Sequence, residues 1–149
     1  MDKPKITWCA KLREQEKFET SNEFYAGTYM DSTPLVVDIQ LWNNRYGIED
    51  VENLKNFDVE FYFDNMEDEK LLDYCTISIT GREQITFKRI NDRAVIQFPD
   101  AQVVSGAKNN GDTADAYENY IPLTFKFAAA GKCLKENDLK SLHFEVIQR

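Results

Sequence analysis

Hydrophobic and polar residues alternate along much of this chain with a period of two. In the segment 35–42 one face is apolar throughout, while the other face mixes apolar and polar side chains. The two faces are Leu35, Val37, Ile39 and Leu41 against Val36, Asp38, Gln40 and Trp42. Because successive side chains of a strand point to opposite sides of a sheet, this pattern predicts a β-strand with one buried and one solvent-facing side.

Similar alternation recurs to the last residues and predicts about eight or nine short strands. They are placed at residues 5–12, 24–30, 35–42, 57–63, 75–80, 84–89, 94–98, 121–127 and 141–147. Between them, Gly81-Arg82-Glu83 is expected to close a hairpin and Asn91-Asp92 to form a tight turn. A loop or a short helix is expected at 13–23, one helical turn or a loop at 48–56, and a helical turn at 132–139.

The predicted fold is all-β. Long amphipathic helices are missing from the pattern, which argues against a parallel sheet with helical crossovers. We therefore expect a single antiparallel β-sandwich over residues 1–149, with at most one or two short helical turns. Residues 1–30 would contribute an N-terminal strand and a charged connecting segment. An immunoglobulin-like sandwich and a jelly roll both produce this alternation, so the topology stays open between them.

The longest predicted loop runs from Ser105 to Asn119. It carries Gly106 and Gly111 among asparagine and aspartate residues. A loop of this length without periodicity is either mobile or devoted to an interaction, and the sequence does not distinguish the two.

The charge of the chain restricts its partners. It carries 26 acidic against 18 basic residues, a net charge of −8. A nucleic-acid binder needs a basic surface, and an anionic bilayer would repel this chain, so we expect neither partner. The segment 1–5 lacks the apolar run of a signal peptide, and no segment approaches the ~20 apolar residues of a membrane span. Synthesis and folding in the cytoplasm are therefore expected.

The inventory of reactive residues favours a non-enzymatic role. Cys9, Cys75 and Cys133 are far apart and show no Cys-x-x-Cys spacing, which predicts reduced, mostly buried thiols and no zinc site. The only histidine, His143, is expected on the solvent-facing side of its strand. Because no nucleophile, phosphate-binding or dinucleotide motif is present, we expect no catalytic residue and no cofactor.

Acidic loops raise the question of calcium. Oxygen-bearing side chains cluster at 64–69 and again at 109–115, but neither cluster matches the EF-hand spacing. The sequence therefore assigns no metal ligand, and it leaves open a calcium site of another type between the loops of the sandwich.

Trp42 and Tyr62 lie on the faces of their strands that are predicted to meet solvent. Exposed aromatic rings can stack on sugar rings, so both are candidates for a partner or sugar contact. Burial by a partner, or packing under a second layer of the same chain, explains them equally well.

The segment from Pro34 to Gly47, with its continuation to Phe63, resembles small virion proteins of tailed bacteriophages. The resemblance implies a short, acidic β-sandwich without catalytic residues, serving in a collar, tail ring, baseplate or head decoration. It also implies contacts with other virion proteins or with copies of the same chain in a symmetric assembly. The segment contains no diagnostic motif, so no functional residue is assigned from it.

Together these observations predict a non-enzymatic structural protein that forms part of a phage particle. The edges of its sheets would be the means of contact, since the N-terminal stretch and the last strand, ending at Arg149, could each add a strand to a neighbour. A carbohydrate-binding module that uses exposed aromatic residues is the first alternative. An acidic inhibitor of a host protein is the second.

Overall fold

The computed structural model describes residues 1–25, 27–28, 34–63, 69–128, 138–139 and 141–149. Within this part of the chain the regular structure consists of strands and two 3-10 turns, Glu69–Tyr74 and Tyr117–Asn119. The strands are β1 (Ile6–Leu12), β2 (Glu19–Thr20), β3 (Glu23–Phe24), β4 (Gly27–Thr28), β5 (Leu35–Asn43), β6 (Phe57–Phe63), β7 (Cys75–Ile79), β8 (Gln84–Ile85), β9 (Lys88–Ile90), β10 (Arg93–Gln97), β11 (Tyr120–Phe127), β12 (Asp138–Leu139) and β13 (Leu142–Gln148).

The strands form two large antiparallel sheets, which confirms the predicted β-sandwich. The first sheet has the order β2-β1-β5-β11-β7-β8, and the second has the order β3-β13-β6-β10-β9. Strands β12 and β4 form a separate two-stranded pair. The strong alternation of β5 and β6 is explained by their positions, because each lies inside its sheet and turns one face to the core.

The core between the sheets is built from aromatic rings. Trp8 of β1 lies 6.4 Å from the ring of Phe61, measured between centroids, and Phe61 lies 5.9 Å from Phe125 of β11. Phe63 and Phe127 meet edge to face at 6.4 Å. These tilted arrangements are the preferred geometry of aromatic pairs, and they join the first sheet to the second.

The order of the strands differs from that of a constant immunoglobulin domain. The described strands of five residues or more are, in chain order, β1, β5, β6, β7, β10, β11 and β13. The fifth of these, β10, belongs to the second sheet, and the sixth, β11, belongs to the first. A constant immunoglobulin domain places its fifth strand in the first sheet and its sixth in the second, so this sandwich has a different arrangement.

The turns between neighbouring strands follow the sequence signals. Asn91 and Asp92 have φ angles of 50° and 62°, the left-handed pair that a tight two-residue hairpin requires, and they join β9 to β10. The β7–β8 hairpin also forms, and Gly81 in it has a φ of 81°. Both turn predictions are confirmed.

Other element predictions were wrong or partly so. The single strand predicted at 84–89 is divided, because β8 pairs in the first sheet and β9 in the second. Of the two alternatives at 48–56, the loop forms and not the helical turn, and it carries an isolated bridge between Leu54 and Val104. The charged segment 13–23 includes β2, which pairs with β1, where the sequence suggested a loop or a short helix. The predictions at 24–30 and 132–139 lie partly outside the described residues.

Two of the three cysteines are buried in the sandwich, as predicted. Neither Cys9 nor Cys75 forms a disulfide bond, and Cys133 lies outside the described residues. Burial in β7 raises the pKa of the Cys75 thiol well above its usual 9.0. The nearby Arg89 works against this shift, and Asp73 adds to it.

The stability of the fold should consequently fall at alkaline pH. The unfolded Cys75 thiol loses its proton near its usual pKa of 9.0 while the folded thiol keeps it. Above that pH the unfolded state binds fewer protons, so the free energy of unfolding decreases by up to ~1.4 kcal/mol per pH unit. Urea unfolding at pH 8 and pH 10 should show a larger loss for the wild type than for Cys75→Ala, by about 1.4 kcal/mol. Equal losses in the two proteins would contradict this assignment.

Candidate functional site

Trp42 is not at the surface, so the prediction that it faces solvent was wrong. It is 0% exposed, although its side chain lies on the outer face of the first sheet. Its ring stacks on Tyr120 of β11 at 4.7 Å, and the Arg45 guanidinium lies 4.8 Å from the ring centroid. The indole Nε1 donates a hydrogen bond of 2.9 Å to Oε1 of Gln40. Trp42 is therefore covered by a second, smaller apolar cluster and offers no ring face to a sugar.

Cys9 and Ala116 complete this outer cluster, which Phe18 borders. The Arg45 guanidinium also donates from Nη1 to the Cys9 Sγ at 2.9 Å. Ala116 comes from the long loop that precedes β11, so that loop is what closes the outer face over Trp42. One feature of the sequence is consistent with this covering, because a long loop leads directly into the strand that carries the stacking Tyr120.

Tyr62 is half-buried, and side chains of the two flanking strands contact its ring. His143 of β13 stacks on it at 4.8 Å with only 8° between the planes, and the Arg93 guanidinium lies 4.0 Å from the ring centroid. The Tyr62 hydroxyl donates to Oε1 of Glu145 at 3.0 Å, and Arg93 donates to Oε2 of the same carboxylate at 2.8 Å. A sugar could stack on Tyr62 only after displacing one of these groups.

The loop 105–119 is held in place by asparagine side chains. Asn119 donates from Nδ2 to the carbonyl oxygens of Ser105 and Ala107, both at 2.9 Å. Asn109 donates to the carbonyl oxygen of Asn44 at 2.8 Å. Because these amides satisfy carbonyl groups that no neighbouring strand reaches, the loop is fixed by hydrogen bonds rather than by regular structure.

Two asparagines at the end of β5 attach the segment 49–54 to the same region. The Asn43 amide donates to the carbonyl oxygens of Glu52 at 2.9 Å and Val104 at 3.1 Å. The Asn44 amide donates to Glu49 at 2.8 Å and to Gly106 at 2.9 Å. The alternation of the strand ends before these two residues, so their role in holding the segment was not predicted from the sequence.

Gly106 is required where the two segments meet. A Cβ atom at this position would lie 2.2 Å from the carbonyl oxygen of Val51 and 2.5 Å from that of Glu52. The backbones are this close because Val51 N donates to the Gly106 carbonyl oxygen at 2.8 Å. Of the two outcomes that the sequence left open for the loop, this close packing favours an ordered one.

A cleft of about 510 Å³ opens beside the ordered loop. Its lining combines aromatic, amide and charged side chains, among them Asn53, Arg82, Gln102, Tyr117, Glu118 and Tyr120. Tyr117 is 67% exposed at its mouth. An exposed ring beside amide and charged groups is suited to binding a small polar molecule.

The side of the sandwich between β1 and β13 is only partly covered. Strand β2 pairs with β1 at Cys9 and Ala10, and β3 pairs with β13 at Leu142 and His143. This pairing ends at two backbone hydrogen bonds. Ser21 N donates to the Trp8 carbonyl oxygen at 2.9 Å, and Phe144 N donates to the Asn22 carbonyl oxygen at 3.0 Å. Among the described residues, no strand lies alongside the remainder of β1 or β13 on this side.

This opening forms a groove, also of about 510 Å³, between the two sheets. Ile6 and Trp8 line it from β1, and Phe144, Val146 and Ile147 line it from β13. Ile147 is 44% exposed. The groove thus combines apolar side chains with backbone groups that have no neighbouring strand, which is the combination that an added strand would use.

The loop carboxylates are engaged within the chain. Asp112 Oδ1 accepts from Ala114 N, and Asp115 Oδ2 accepts from the Asn110 amide at 2.8 Å. In the part of the chain that the structure describes, no three His, Cys, Asp or Glu side chains group closely enough to hold a metal ion. The acidic cluster at 64–69 lies largely outside that part. The described residues also include no helix long and apolar enough to cross a membrane.

Comparisons of the chain with protein-family models, with curated proteins and with solved structures found no match.

The asparagine contacts should matter for stability. Asn119→Ala would leave the Ser105 and Ala107 carbonyl oxygens without their donor, which we expect to lower the free energy of unfolding by about 2–4 kcal/mol. Asn110→Ala, at an exposed position of the same loop, should cost less than about 1 kcal/mol. Urea unfolding followed by tryptophan fluorescence measures both. Similar losses for the two variants would mean that the buried amide contacts do not hold the loop.

Proposed function

We propose that this protein is a non-enzymatic assembly protein that contacts its neighbours through the open side of its sandwich. The observation that carries the proposal is the half of β13 that no described strand covers, beside an apolar groove. A strand with unpaired backbone groups accepts an extended segment of another chain, and apolar side chains beside it add binding energy. The resemblance of residues 34–63 to small virion proteins directs the proposal to a phage particle.

The other sheet edges in the described part of the chain carry the features that discourage pairing. Strands β2 and β8 have only two residues each. Strand β9 exposes Lys88 and Arg89, and the open half of β1 follows directly on Lys3-Pro4-Lys5. Short strands, lysine and proline are the usual protection of an edge against added strands. The distal half of β13 has neither lysine nor proline and belongs to a strand of seven residues.

The proposal includes no catalytic step. The imidazole of His143 stacks on Tyr62, and the Cys9 and Cys75 thiols are buried. Among the described residues these are the groups that would otherwise be considered first as a base or a nucleophile. A binding role uses the same structure without requiring any of them to be reactive.

The test is sedimentation of a lysate of the source cells on a gradient. The tagged wild-type chain should travel with a large particle in a fixed copy number. Gln148→Pro should remain at the top of the gradient, since proline removes a backbone N–H that points away from the sheet. Ile90→Lys, an equally exposed change at the opposite edge of the second sheet, should travel with the particle.

The assembly proposal fails if the wild-type chain remains free in the lysate and particles form unchanged without it. It is also wrong in its choice of surface if Gln148→Pro enters the particle as well as Ile90→Lys does. Circular dichroism and thermal unfolding of the purified variants establish that each is folded.

A carbohydrate-binding role is the second candidate, and the cleft beside the ordered loop favours it. The rings that the sequence suggested are covered, but Tyr117 is exposed at a mouth lined with amide and charged groups. Stacking on an aromatic ring together with hydrogen bonds from such groups is a chemistry suited to a sugar ring.

A glycan array tests this second candidate. If the cleft binds a sugar, Tyr117→Ala should weaken binding at least about tenfold, which corresponds to ~1.4 kcal/mol. Tyr25→Ala, which removes an exposed tyrosine outside the cleft lining, serves as the matched control. Silence of the wild type across the array would remove the candidate.

The acidic inhibitor remains a weaker alternative because carboxylates on both sheets are paired with basic side chains. On the first sheet Asp38 pairs with Arg13 at 2.9 Å and with Lys11 at 3.6 Å. On the second sheet Arg93 lies between Glu60 at 3.7 Å and Glu145 at 2.8 Å. A protein that imitates nucleic acid would need unpaired negative charge concentrated on one face.

A further inference from the structure

The direction of each backbone group along β13 can be read from its hydrogen bonds. Phe144 N donates outward to Asn22, away from β6, whereas Arg149 N donates inward to the Asn56 carbonyl oxygen beside β6. Backbone groups of an antiparallel strand alternate in direction from one residue to the next. Val146 and Gln148 therefore point their N–H and C=O groups outward, on the side where the described residues supply no strand.

The positions of these two residues select one way for β13 to pair with a second copy of itself. In an antiparallel self-pair about a two-fold axis, a residue whose backbone N–H and C=O point outward must lie opposite another such residue, because only then can the two exchange hydrogen bonds. An axis through residue 146 would place Phe144 opposite Gln148, but Phe144 N is already bonded to Asn22. An axis through residue 148 would place the exposed Ile147 opposite the charged Arg149, and within residues 1–149 it would leave Val146 and Glu145 with no residue opposite them. Only an axis through Ile147 places Val146 of each copy opposite Gln148 of the other, so that all the outward backbone groups of these residues are paired.

The side chains fit that register. Ile147 would lie directly opposite Ile147 of the other copy, so an apolar residue that is 44% exposed would be covered by its own equivalent. Glu145 would lie opposite Arg149, on the same outer face of the joined sheet. Opposite charges on directly opposed residues stabilise a strand pair, and a two-fold axis produces the contact twice.

Both charged groups are partly accessible, and their intrachain partners lie on the inner side of β13, on or just after β10. Glu145 is positioned by Arg93 at 2.8 Å, and Arg149 by its bond to the Phe98 carbonyl oxygen at 2.6 Å. Their side chains retain 37% and 28% of their exposure. To meet a second copy, each side chain would turn toward the edge, so the contact between Glu145 and Arg149 adds to a pairing that the backbone hydrogen bonds and Ile147 carry.

We propose that β13 pairs with β13 of a second copy of this chain, about a two-fold axis through Ile147, and joins the two second sheets into one. This inference rests on the proposed function and specifies its partner as the chain itself. Other occupants of the same edge, such as a strand of a different protein, are alternatives that the experiment separates.

The test is disulfide formation by Ile147→Cys. Directly opposed residues of a non-hydrogen-bonded antiparallel pair have Cα atoms about 4.5 Å apart, within the range that a disulfide spans. Under mild oxidation the purified variant should form a covalent dimer at least about tenfold faster than Ile90→Cys, because pairing raises the effective thiol concentration. Ile90 is 50% exposed at the opposite edge of the same sheet, which makes it a matched control. The wild type measures the background rate of covalent dimer formation by Cys9, Cys75 and Cys133.

A second substitution tests whether the dimer uses the outward backbone groups of β13. Gln148→Pro added to Ile147→Cys should reduce the rate of dimer formation to that of Ile90→Cys, since it removes an outward N–H of the pair. Sedimentation velocity of the wild type over a hundredfold range of concentration should show a reversible dimer, and the Gln148→Pro protein should stay monomeric over the same range.

Equal crosslinking of Ile147→Cys and Ile90→Cys, with a wild type that stays monomeric, would overturn self-pairing. If the wild type nevertheless sediments with a particle and Gln148→Pro does not, the proposed function stands and the strand that pairs with β13 belongs to a different protein. If Ile147→Cys crosslinks as expected but the chain never enters a particle, self-pairing stands and the proposed function fails.

Discussion

The structure depends on the position of β5 in the interior of the first sheet. Strand β5 is paired with β1 on one side and β11 on the other, over nearly its whole length. One of its faces carries Val37, Ile39 and Leu41 into the aromatic core, and the other carries Trp42 toward the outside. A tryptophan on the outer face of an interior strand exposes a large apolar area unless something covers it. The loop that precedes β11 covers Trp42, which explains why that loop is ordered.

Ordering such a loop requires partners for its backbone, and asparagine side chains provide them. Asn43 and Asn44 follow from the end of β5, while Asn119 precedes β11, so the residues that hold the loop are attached to the strands that border it. Amide groups suit this role because each offers two donors and one acceptor oxygen. The result is a sandwich end in which two irregular segments pack closely, as the fit of Gly106 against the 51–52 backbone illustrates.

The opposite situation holds at the side between β1 and β13. There the covering strands β2 and β3 are short, and their pairing stops at the middle of each long strand. Where an edge has no biological use, natural sheets usually protect it, so an unprotected edge with an exposed isoleucine is informative. The proposals of assembly and of self-pairing both derive from this contrast between a closely packed end and an open side.

The sequence by itself determined the fold class and most strand positions. A period of two and turn-forming residues such as Asn91-Asp92 are local signals, and each is read from a few neighbouring positions. It also determined that Cys9 and Cys75 would be buried. It could not separate the exposed from the covered outer face of β5, because that depends on a loop more than sixty residues away.

Only the tertiary structure decided which surfaces remain open. The covering of Trp42, the enclosure of Tyr62 between His143 and Arg93, and the free half of β13 all result from pairings between distant segments. Alternation fixes which residues share a face but not what packs against that face, since strand order is set by the sum of long-range contacts. For that reason the sequence could not show which sheet edge lacks a neighbouring strand, whereas the structure shows, among the described residues, that the distal half of β13 does.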